Sequence, residues 1–163
     1  RANMASPIIF TAGQVVTAGQ LNTLGAEPAS WTPALTSDGT SPTMGSGATN
    51  VGRITQVNHL VQATFDIAFG SSMAAGTGTY RVSLPVNVDP GSESYQIIGR
   101  GMVYDASLDD PWQVTFVTLP GAPTVARIAY MSGSTHDWVT SSSTISWAQD
   151  DRIVGSLLYP ADW

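Results

Sequence analysis

Leu60 to Phe69 reads LVQATFDIAF, and its apolar residues recur at every second position. Val61, Ala63, Phe65, Ile67 and Phe69 face one way; Leu60, Gln62, Thr64, Asp66 and Ala68 face the other. Period-two alternation with one apolar side is a half-buried strand. VGRITQV, Val51 to Val57, precedes it across Asn58-His59, the spacing of a tight hairpin. A chain that contains this ribbon must bury the apolar side against further β-structure.

The rest of the chain after Pro28 follows the same grammar. Strand-like runs are WTPALT (Trp31 to Thr36), TYRVSLPV (Thr79 to Val86), QIIGRGMVYD (Gln96 to Asp105) and WQVTFVTL (Trp112 to Leu119). TVARIAYM (Thr124 to Met131), STISWA (Ser143 to Ala148) and RIVGSLLY (Arg152 to Tyr159) complete the set. Turn formers separate them, and Ser37 to Asn50 is one long loop of such residues. Gly99 and Gly101 within one run mark a bulge or a close backbone approach. Eight to nine strands without intervening helical patterns predict an all-β fold, an antiparallel β-sandwich or jelly roll.

The opening TAGQVVTAGQLNTLG, Thr11 to Gly25, differs from this. Thr17 with Gln20 three residues later has the spacing of a capping box. Leu21 and Leu24 then share one helical face, and Gly25 supplies a left-handed stop. A helix of one or two turns is marginal alone in water, so it must dock on its own domain or on a neighbouring chain. The chain therefore divides into an N-terminal anchor or trimerisation segment, residues 4–27, and a β-sandwich head, residues 28–163. Met4 reads as the natural start, with no basic region and apolar stretch of a signal peptide behind it.

At 163 residues the chain fits one domain. It has no cysteine, which excludes disulfides, thiolate metal sites and cysteine nucleophiles. The formal net charge is -6, and the basic residues are Arg1, Arg53, Arg81, Arg100, Arg127 and Arg152, dispersed along the sequence. Phosphate neutralisation needs clustered basic groups, so neither nucleic acid nor an anionic membrane is expected as a partner. No apolar run approaches the roughly 20 residues of a membrane helix.

His59 and His136 are far apart in sequence with no clustered third ligand, so no metal or other cofactor is expected. His136 and Asp137 are neighbours and would point to opposite faces of a strand, which does not make a hydrolytic triad. The doublets Asp109-Asp110 and Asp150-Asp151 read as turn caps, with a glycosidase pair as the competing reading. Trp31, Trp112 and Trp147 read as packing residues. Trp138 stands in SGSTHDWVTSSS beside His136, Asp137 and Ser141. An aromatic face with hydrogen-bonding neighbours suits a neutral cell-wall glycan; the competing reading folds Trp138 over the core. Trp163, at the end of LLYPADW, is costly to leave in water and is expected in a contact with another chain, with Leu157, Leu158 and Tyr159.

The phrase Gly13, Thr17, Ala18, Leu21, Asn22 resembles the segment that opens many tail-fibre and minor structural proteins of tailed bacteriophages. The body is similar to compact β-domains of virion proteins from phages of high-GC Gram-positive hosts. Trp31 with Pro33, Gly52 with Thr55 and Gln56, and Gly76, Gly78, Tyr80, Leu84 and Pro85 carry that likeness. The resemblance implies a non-enzymatic virion component on the particle surface, made in the host cytoplasm and usually a homotrimer. Its expected role is capsid decoration, head fibre or tail appendage, with other virion proteins as partners and a host-surface glycan as a further contact. The alternatives are a carbohydrate-binding receptor-recognition module and, third, a small glycoside hydrolase.

Overall fold

The structure, a computed structural model, describes Gly13 and residues 28–57, 59–89, 95–132, 135–142 and 145–162. The anchor residues Thr17, Gln20, Leu21 and Leu24 lie outside these, as does Trp163. Among the described residues the protein is all-β and antiparallel. Its strands are β1 (Ala29–Trp31), β2 (Leu35–Ser37), β3 (Thr49–Val57), β4 (Leu60–Ala68) and β5 (Tyr80–Ser83). They continue as β6 (Gln96–Asp105), β7 (Asp110–Leu119), β8 (Ala122–Ser132), β9 (Thr135–Trp138) and β10 (Arg152–Pro160).

All ten belong to one hydrogen-bonded sheet, ordered β1-β3-β4-β10-β6-β7-β8-β5-β2, with β9 added to β8. The two ends of this order are consecutive in sequence: β1 ends at Trp31 and β2 begins at Leu35. Four Cα steps reach at most about 14 Å, whereas nine flat strands would be roughly 38 Å across. The sheet must therefore curl until its edges nearly meet. The short linker holds them there: Asn50 Nδ2 of β3 donates to the Pro33 carbonyl at 3.0 Å, and Ser83 N of β5 donates to the Ala34 carbonyl at 2.9 Å.

A cross-strand row on the inner face favours this curl. It runs Trp31, Gly52, Phe65, Gly155, Gly101, Val114, Tyr130 across seven adjacent strands. A side chain on Gly155 would meet the rings of Phe65 and Phe116, at 2.5 and 2.7 Å. With glycine there, those rings close edge-to-face with centroids 5.2 Å apart, although β10 and β6 separate their strands. Around them the core holds Val61, Ile67, Tyr80, Val82, Ile128, Ile153, Leu157 and Tyr159, each essentially inaccessible to solvent.

Several expectations change in detail. WTPALT is not one strand: Pro33 has no amide proton to donate, and the chain breaks there into β1 and β2 on opposite edges. STISWA forms no strand among its described residues; Ile145 and Trp147 are buried from an irregular segment, with Trp147 Nε1 donating to the Thr140 carbonyl. THDW, read as loop, pairs with β8 as β9. Leu157 and Tyr159 are core residues rather than contacts for another chain, while Leu158 is 57% exposed. The Asn58-His59 hairpin is confirmed by the pairing of Val57 with Leu60, and the bulge falls between Ile97 and Gly99.

Candidate functional site: the outer face of the sheet

Strand alternation that buries one face presents the other to solvent. On that outer face a second row crosses the sheet: Arg53, Thr64, Ser156, Arg100, Thr115, Ala129, Trp138. Two adjoining grooves follow it. The first, about 690 Å³, lies over β1, β3, β4, β10 and β6 and is bordered by Trp31, Arg53, Asp66, Arg100 and Met102. The second, about 630 Å³, shares Arg100 and Met102 as its wall and extends over β7 and β8 to Met131 and His136.

Among the described arginines, Arg81 and Arg127 both pair with Asp38, at 3.2 and 3.3 Å, and Arg152 pairs with Asp66 at 2.9 Å. Arg53 and Arg100 have no ion-pair or hydrogen-bond partner among the described residues. They are three strand spacings apart, roughly 14 Å, with the hydroxyls of Thr64 and Ser156 between them. Of the residues along the first groove, Asp66 has a buried Oδ1 without a partner on the outer face, and Trp31 Nε1 and Asn50 Oδ1 are likewise unpartnered on the inner face. Burying such atoms costs about 1–3 kcal/mol each unless a solvent or ligand atom meets them.

The residues singled out from the sequence are placed as follows. His136 and Trp138 lie on the outer face, opposite Met131 and Ala129 of β8, while Asp137 is opposite Tyr130 on the other face. Trp138 is half-buried, and the Arg127 guanidinium lies 5.4 Å from its ring centre, a cation–π contact that occupies one indole face. Ser141 is in the following turn, its amide bonded to the Gly78 carbonyl at 3.2 Å. The four do not converge on a point; His136 and Trp138 alone share the grooved face.

Asp151 of the second aspartate doublet and the nearby Asp105 serve loop backbones. Asp151 accepts from the amides of Ala106 and Ala148, at 2.9 and 2.7 Å. Asp105 accepts from the amides of Ser107 and Leu108 and from the Ser107 hydroxyl. Burial raises the Asp151 carboxyl above its ordinary value, the two amides oppose this, and the nearby Asp105 charge adds to it. Asp109 takes the Tyr104 hydroxyl at 2.7 Å, which holds that phenol above its ordinary range. No group of three or more metal-ligating side chains is found among the described residues.

Arg53 and Arg100 were not singled out in sequence because their dispersal along the chain hides their register. A local signal existed: each follows a glycine inside a strand, in VGRI and IGRG, at a polar position of the alternation. Comparison with protein-family models, curated proteins and solved structures gives no match.

Proposed function

We propose that this chain is a non-enzymatic structural protein of a tailed-phage particle surface, assembling as a homotrimer and presenting the curled sheet outward. The motif resemblance points to the particle. The observation that carries the reading is the outer face itself, which gathers exposed apolar side chains at one end and mixes Val51, Met102 and Met131 with polar groups along its length. At the apolar end Leu60 pairs with Val57 and Pro160, with Leu158 two residues before Pro160 on the same face. Leu60, Ile97 and Leu158 are each more than half exposed. Exposed apolar side chains gathered at one end suit an interface with further copies of the chain.

The polar remainder suits recognition rather than catalysis. Its groups are guanidinium and hydroxyl donors, and the best-buried carboxylates, Asp105 and Asp151, are engaged by loop amides. The finer architecture we infer is a jelly roll. Residues 35–57 run antiparallel to 60–83 through the bridges Thr43–Ala74 and Ser46–Ser71, a ribbon that passes from one sheet edge to the other. Two measurements test the proposal. Light scattering is expected to give three times the chain mass, falling to the monomer value for an Ile97→Ser/Leu158→Ser variant. Antibodies to the protein should decorate intact particles; unlabelled particles or a monomeric wild type would remove it.

A further inference from the structure

We infer that the first groove binds an acidic polysaccharide, a sugar chain bearing carboxylates, laid across the strands between Arg53 and Arg100. This rests on reading the outer face as a recognition surface, and it replaces the neutral glycan expected from the sequence.

The charge distribution selects an anion. Three described arginines are paired with Asp38 or Asp66, whereas Arg53 and Arg100, without partners among the described residues, share one row of one face in a chain of net charge -6. A guanidinium fork pairs with a carboxylate through two parallel hydrogen bonds. Two forks roughly 14 Å apart fit separate anionic groups along an extended ligand better than one compact anion.

The remaining groups select a sugar chain over a bare polyanion. Between the arginines stand the hydroxyls of Thr64 and Ser156. Asp66 borders the same groove with an Oδ1 that has no donor, its other oxygen being held by Arg152. A carboxylate acceptor requires hydroxyl donors from the ligand and repels one that offers only anionic oxygens. Met102 and Val154 supply apolar surface for sugar-ring C–H groups.

The test is calorimetric titration of the full chain with hexagalacturonate, against neutral cellohexaose and a short polyphosphate. The acidic sugar is expected to bind at least about tenfold more tightly than cellohexaose, and to weaken as salt rises. Arg53→Ala and Arg100→Ala should each cost about fivefold or more in affinity, and Arg100→Glu should abolish measurable binding, all with unchanged melting temperature. Equal binding of cellohexaose, tighter binding of polyphosphate, no binding of the acidic sugar, or an unaffected double variant would overturn the proposal. Particle labelling separates it from the function above: a double variant that still joins particles but ignores the sugar fails only in ligand binding. Sugar binding by a protein that never joins particles would sink the virion reading instead.

Discussion

Asp38 shows how one exposed side chain can organise several elements. Its Oδ1 accepts the Thr79 amide at 2.7 Å, and its Oδ2 lies between the guanidinium groups of Arg81 and Arg127. Arg127 in turn covers Trp138. The carboxyl is held below its ordinary value of 3.8 chiefly by the Thr79 amide; desolvation, next in size, opposes this, and Arg81 and Arg127 lower it further. A carboxyl whose folded value is depressed stabilises the fold above its unfolded value, and that contribution is lost as pH falls through the folded value. Asp38→Asn keeps an acceptor for Thr79 but removes the charge. Urea unfolding is therefore expected to show wild type more stable at neutral pH, the difference narrowing as pH falls below the ordinary carboxyl value of 3.8. A pH-independent difference would assign the effect to shape rather than charge.

At the scale of the strand, glycine decides how the sheet curls. Gly155 has Phe65 on one side and Gly101 on the other, and the Phe65 and Phe116 rings occupy the space a side chain would need. Gly155→Val must push apart two packed rings, and overpacking of this kind costs about 1–3 kcal/mol. A drop in the urea midpoint is expected, whereas the exposed neighbour Ser156→Val should change little. This geometry was partly legible in the sequence. Alternation in Leu60 to Phe69 gave the buried face residue by residue, and the glycines of IGRG flagged the bulge and close approach. The order of strands was not legible, because placing β10 between β4 and β6 depends on pairings far apart in sequence, such as Pro160 with Leu60 and Leu157 with Gly99. The groove was hidden for the same reason: Arg53 and Arg100 become neighbours in a row only once β4 and β10 are inserted between their strands. THDW escaped notice because a four-residue strand among serines and glycines carries too few alternations to be told from a loop.

The molecule as a whole is closed by its own ribbon. The described core runs from Leu35 to Ala161, and the Trp31-to-Leu35 linker, hydrogen-bonded to both β3 and β5, brings the sheet's edges together. Among the described residues, β1 nevertheless has no partner on its outer edge over three residues, an edge onto which another strand could add. Ala29 pairs with Ile54 and Trp31 with Gly52, so the first residue of β1 stands on the side of Val57 and Leu60. A chain beginning at Pro28 should then retain the cooperative unfolding and nearly the full melting temperature of the whole protein, since among the described residues the core and the side chains packed on it begin at Trp31. It should also lose both the trimer mass and attachment to particles. Differential scanning calorimetry and light scattering on the same sample decide between the alternatives. A broad or absent transition would place residues 4–27 within the fold, and an intact trimer would place self-association in the sheet alone.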